Sequence, residues 1–168
     1  KMLTTEDGAP GDIIIWPEGA IPVNLLQDPN AIDIIDAYLG PRVLIVGTTR
    51  YEITDDSQRA YFNSLTVLDQ SAARSGPLAL YDKHRLVPFG ELAAAEIIPF
   101  GRYISGILPG AMQQMATDGF RPGPGPAVIY ADNVPPFIAM ICYEGLYPSI
   151  PRDANLNGRA DWLVVISN

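Results

Sequence analysis

The sequence predicts a layered α/β protein, and three observations carry that prediction. Seven short runs rich in Ile, Val, Leu and aromatic residues recur along the 168 residues, separated by polar or Gly/Pro segments, which is the rhythm of strands and turns. One stretch of helical periodicity lies between the first two runs. Several runs carry apolar residues on both faces, as strands of an interior sheet do when helices or a second sheet cover them.

Taken in order, the runs are Ile13–Trp16, Val43–Thr48, Tyr61–Leu68, Leu78–Lys83, Ala127–Tyr130, Phe137–Cys142 and Trp162–Ile166. The helix is expected over Pro29–Leu39, where Ile32, Ile35 and Leu39 share one face and Gly40-Pro41 supplies the stop. Strand, helix, strand and then a meander of strands excludes a pure bundle or barrel. The segment Leu92–Met115 is apolar but holds Pro99, Gly101, Gly106, Pro109 and Gly110, so it cannot form one long helix and is expected to cover or border a site. Arg121-Pro-Gly-Pro-Gly-Pro126 follows as a rigid connector. No internal repeat is present. The first strand begins close to the start of the chain and the last runs into its end, so the sequence reads as a domain truncated at both ends.

Composition narrows the function classes. Eleven basic residues against nineteen acidic ones give a net charge of −8, which offers no footprint for nucleic acid. No stretch approaches the roughly 18–20 apolar residues that cross a bilayer. The single cysteine, Cys142, excludes an intrachain disulfide framework.

Three groups at strand ends have complementary chemistry. Cys142 ends the run Phe137–Cys142 and precedes Tyr143-Glu144-Gly145, the kind of place where α/β enzymes display reactive groups. A thiol nucleophile needs a way to lose its proton. The one histidine, His84, adjoins Lys83, so a Cys–His pair is one option; in a strand the two neighbours point to opposite faces, and only one of them can meet the cysteine. Lys83 would favour a nearby thiolate and hold a developing oxyanion. Glu18, just after the first strand in Trp16-Pro-Glu18-Gly19, is of the type that accepts a thiol proton. The backbone N–H of Tyr143, directly after the candidate nucleophile, would be a second oxyanion donor. Each also has a plain structural alternative: Cys142 as a small buried hydrophobe, Lys83 as a solvated surface residue, Glu18 as a turn or cap.

Trp16-Pro-Glu18, Lys83-His-Arg-Leu-Val-Pro-Phe-Gly-Glu91 and Cys142-Tyr-Glu144, in that order, with Tyr61-Phe-Asn63 between and Ile166-Ser-Asn168 at the end, resemble the nitrilase-type domain of the apolipoprotein N-acyltransferases, which add the third acyl chain to bacterial lipoproteins. The resemblance covers nearly the whole chain. It implies a carbon-nitrogen hydrolase fold, the four-layer α-β-β-α sandwich, as one domain over residues 1–168 that is incomplete here, with residues 92–126 as a lid or arm. It implies Glu18 as general base, Lys83 as stabiliser of the tetrahedral intermediate and Cys142 as nucleophile. Glu91 would orient Lys83 or assist proton transfer, and Glu144 would support the pocket. The implied reaction is ping-pong: a phospholipid acylates Cys142, and the N-terminal amine of a diacylglyceryl-cysteine apolipoprotein takes the acyl chain from the thioester. No metal or organic cofactor is required. The implied setting is the periplasmic face of a bacterial inner membrane, reached through membrane segments that this chain lacks. An incomplete sandwich is expected to leave layers missing, expose apolar surface or associate with another copy. Two rivals stand beside this reading, a soluble amidase using the same three residues on a small amide and a non-catalytic binding module on the same fold.

Overall fold

Backbone pairing sorts the strands into two sheets. The computed structural model describes residues 9, 11–21, 24–87, 91 and 119–168. Within them, β1 (Ile13–Trp16), β2 (Val43–Ile53), β3 (Arg59–Leu68) and β4 (Ala79–Asp82) form one sheet in that order. β1 runs parallel to β2, with Ile13 opposite Val43, and the other pairs are antiparallel. The second sheet joins β5 (Val128–Ala131), β6 (Val134–Ile141) and β7 (Trp162–Ile166), with β6 parallel to β7 and Ile141 opposite Ile166.

Each parallel pair needs a crossover. Between β1 and β2 it is α1 (Pro29–Leu39), as expected from the sequence. Asp28 caps it, its side chain accepting from the N–H groups of Asn30 at 3.1 Å and Ala31 at 3.3 Å, and Pro29 fills the first turn, where no donor is needed. Ile32 and Leu39 turn their apolar face onto Leu44, Val46 and Leu68, on the outer face of the first sheet, joined by α2 (Ala72–Ser75). Between β6 and β7 lie a 3-10 turn, Cys142–Leu146, and α3 (Ser149–Ala154). Ile150 and Ala154 of α3 cover Ile138 and Met140 on the outer face of the second sheet.

The inner faces of the sheets meet. Val43, Ile45, Leu65, Val67 and Tyr81 from the first pack with Phe137, Ala139, Ile141, Val164 and Ile166 from the second. The layers therefore run helix, sheet, sheet, helix, the expected four-layer order. Leu163 and Val165, on the outward row of β7, are 50% and 51% exposed, the uncovered apolar surface expected of an incomplete sandwich.

The strand bounds differ from the sequence reading where pairing rather than apolarity sets them. β2 continues past Thr48 to Ile53, and β3 starts at Arg59. This polar arm is held by cross-strand contacts: Tyr51 against Tyr61 with ring centroids 6.0 Å apart, Arg59 over Tyr51 and Arg50 over Phe62. β6 starts at Val134 and includes Pro135 and Pro136, which cannot donate but do accept, from the Trp162 indole at 2.9 Å and the Asp161 N–H at 2.7 Å. β4 ends at Asp82, so Lys83 follows the strand, and Cys142 follows β6. Helices α2 and α3 were not foreseen. Of the expected lid at 92–126, residues 92–118 lie outside the described residues.

Candidate active site

Lys83 continues the inward row that Ala79 and Tyr81 begin on β4, and it is 1% exposed. Its backbone is clamped on both sides: its N–H donates to the Asn63 carbonyl at 2.8 Å, and its carbonyl accepts from the Gly123 N–H at 2.9 Å. The connector comes this close only because Gly123 lacks a side chain; a Cβ there would lie 2.2 Å from the Asp82 carbonyl oxygen. A buried ammonium must be paired. The Lys83 Nζ lies 2.8 Å from Glu91 Oε1 and 4.0 Å from Glu18 Oε1.

The two carboxylates reach this ammonium from different directions. Glu18 follows β1, and its main chain presses against β2 at Gly47, where a Cβ would be 2.6 Å from the Glu18 Cα and 2.8 Å from Ile166 Cδ1. Glu91 is fixed by a turn in which its Oε2 accepts from the Val87 N–H at 2.8 Å and its N–H donates to the Val87 carbonyl at 3.0 Å. One amide spans both acids. The Asn63 Nδ2 donates to Glu18 Oε1 at 2.8 Å and to Glu91 Oε1 at 2.7 Å.

Cys142 opens the 3-10 turn after β6 with φ = 52°, the left-handed region that a side chain rarely enters. Such a conformation costs about 1–3 kcal/mol and persists where its surroundings enforce it. Here Glu144 does so. Its side chain has no exposed surface. Oε2 accepts from the Ile141 N–H at 2.9 Å, closing the turn, while Oε1 accepts from the Tyr81 hydroxyl at 2.9 Å and from the N–H groups of His84 and Arg85 at 2.8 and 2.9 Å. The carboxylate thus ties the cysteine turn to the segment on either side of Lys83. Burial first, and then the charge of Glu144, hold the Tyr81 phenol well above its ordinary value. A second tie runs through β7: Ile166, paired with Ile141 just before Cys142, also reaches the Gly47–Glu18 contact.

Glu18, Lys83 and Glu91, singled out from the sequence, are therefore brought into one cluster, and Glu144 ties the turn that Cys142 opens to the residues on either side of Lys83. The thiol is free and half-buried. Lys83 and His84 both follow β4, so strand alternation does not apply to them: Lys83 is buried, and the His84 ring lies half-buried with Nδ1 3.2 Å from the Gly123 carbonyl oxygen. The Tyr143 ring stands edge-on to Tyr147, centroids 5.3 Å apart, with the Arg85 guanidinium over Tyr147. Sequence reasoning gave Asn63 no role. The available signal was an amide in the inward row of β3, ahead of Leu65 and Val67, where a buried polar group must have partners.

The two packed sheets with helices on their outer faces have the nitrilase-type, or carbon-nitrogen hydrolase, fold. No family model matches the chain. Among solved structures, a carbon-nitrogen hydrolase from Helicobacter pylori is similar with a TM-score of 0.57 at 18% identity, over 93% of this chain and 48% of that one. A single-residue variant of the Nesterenkonia AN1 amidase from the nitrilase superfamily gives a TM-score of 0.50 at 18% identity, over 96% and 53%.

The sequence relationship is more particular. The apolipoprotein N-acyltransferase of Caulobacter vibrioides is 34% identical over 165 residues, 95% of this chain and 29% of the relative. The chain is similar in sequence to proteins named apolipoprotein N-acyltransferases, and it spans about three tenths of the length of the curated relatives it matches.

Proposed function

We propose that the protein carrying this chain transfers a fatty acyl group from a phospholipid, through a thioester on Cys142, to the N-terminal amine of a diacylglyceryl-cysteine apolipoprotein. One observation carries the chemistry: an ammonium shut away from water between Glu18 and Glu91, in a cluster docked by Glu144 against a strained cysteine turn. The homology to named N-acyltransferases supplies the donor and acceptor.

The steps balance on these residues. Glu18 takes the proton of the Cys142 thiol, and the thiolate attacks the ester carbonyl of the phospholipid. Lys83 and the Tyr143 N–H face the oxyanion of the tetrahedral intermediate. Collapse breaks the ester bond; the departing lysophospholipid oxygen takes the proton from Glu18, and the thioester remains. The apolipoprotein amine then attacks the thioester carbonyl, Glu18 accepts the amine proton, the amide forms, and the Cys142 sulfur leaves and is reprotonated. Glu91 keeps Lys83 oriented. Residues 1–168 act as one nitrilase-like domain with 92–126 as its arm, working at the periplasmic face of the inner membrane in the whole protein.

The test follows the product. Full-length protein in detergent is incubated with a phospholipid and a synthetic diacylated lipopeptide, and the peptide mass is read. A gain of one acyl chain that is absent with Cys142→Ala is expected. An unchanged lipopeptide, with hydrolysis of a small amide by the same protein, would replace this reading with the amidase.

A further inference from the structure

We propose that Asn63 is a positioning residue that sets which oxygen of Glu18 takes the thiol proton; this rests on Glu18 being the base. Its Nδ2 carries two hydrogens, and the geometry uses both, on Glu18 Oε1 at 2.8 Å and Glu91 Oε1 at 2.7 Å. The amide orientation follows from the network, since an amide oxygen facing two carboxylates would be repelled. The same residue's carbonyl accepts from the Lys83 N–H at 2.8 Å. One residue of β3 therefore fixes the register of both acids and of the lysine between them.

The consequence is selective. Glu18 Oε1 is engaged by Asn63 and faces Lys83 at 4.0 Å. Among the described residues no group bonds to Glu18 Oε2, and that oxygen is the one assigned to the Cys142 proton. The charged groups around the amide are Glu18, Glu91 and Lys83, two anions and one cation. A neutral double donor offsets the excess negative charge of the two carboxylates. Aspartate is the same size but reverses the sign of that interaction.

The experiment uses the full-length protein and a p-nitrophenyl ester, so that acylation of Cys142 is read without a lipid substrate. The pH profile of kcat/KM is compared for the native protein, Asn63→Ala and Asn63→Asp. Both variants are expected to lose at least about tenfold near pH 7, and the acid limb, which reports the base of the free enzyme, to move up by about one pH unit, further for Asp than for Ala. Thermal melting identifies a variant that fails to fold, and the same-size Asp variant then decides. An unmoved acid limb in both, or a fall of equal size at every pH, would overturn the proposal and leave Asn63 a packing role. A native protein whose Cys142 is never acylated by the ester would overturn both this inference and the reading of the site. Acylation by the ester with no transfer from phospholipid to lipopeptide would sink the proposed function alone and support Asn63 if the limb moves.

Discussion

At the scale of residues, the site is governed by what burial demands. An ammonium as enclosed as that of Lys83 would cost several kcal/mol if unpaired, so the two carboxylates beside it are a structural requirement as much as a chemical one. The same logic applies to Glu144, whose charge is met by four donors. Its partner Tyr81 has a measurable signature. The folded phenol titrates above the ordinary value of 10.0, so the folded state holds the proton more tightly than the unfolded chain does. The resulting stability is fully present below pH 10 and is lost as pH rises toward the folded value. Urea unfolding should therefore show the native protein's advantage over Tyr81→Phe shrinking above about pH 10; a constant gap from pH 8 to pH 11 would contradict the assignment. Glu18, Lys83 and Cys142 could be picked from the sequence because each stands at the end of an apolar run and carries the right chemistry. Asn63 could not be given a role, because its partners lie 45 and 28 residues away and only the sheet register brings them together. The sequence implies only support for the pocket from Glu144; its place as a clamp on the Cys142 turn depends on donors from β4, the loop after it and the end of β6, which no local pattern reveals.

At the scale of elements, two parallel crossovers do the placing. Glu18 follows the first strand of one and Cys142 the first strand of the other, in opposite sheets, and strand ends beside a crossover are where α/β proteins build sites. Gly47 makes the meeting possible, because Glu18 and Ile166 both pack where its side chain would be. Gly47→Ala places a Cβ 2.6 Å from backbone, and the expected outcome is a loss of about 1–3 kcal/mol on urea unfolding together with slower acylation of Cys142 through displacement of Glu18. Unchanged stability and rate would show that the two sheets are less tightly apposed there. All seven strands of the described residues and α1 were legible, since their apolar runs and capping residues are local signals. The extension of β2 over residues 49–53 was not, because Thr49, Arg50 and Glu52 are polar, Ile53 is exposed, and the segment is held by aromatic and cationic partners across the hairpin. Helices of four and six residues, α2 and α3, are too short to show a period and exist by packing on their sheets.

For the whole molecule, the layer order explains why a chain spanning about three tenths of its relatives' length still holds every residue singled out for chemistry. The inner core joins both sheets, and the site lies where their strand ends converge, so it depends on the sandwich rather than on either sheet alone. The half-exposed Leu163 and Val165 mark the outer face of β7 as surface left open in the described residues. The proposed function requires that this convergence make Cys142 an acyl carrier. Its most direct test is the intact mass of the full-length protein after incubation with a phospholipid and no acceptor, followed by mapping of the modified peptide. The expected result is a gain of one acyl chain on Cys142 that is missing in Glu18→Gln and Lys83→Met and is discharged by a diacylated lipopeptide. An unmodified Cys142, or an adduct that forms equally well without Glu18 and Lys83, would contradict it.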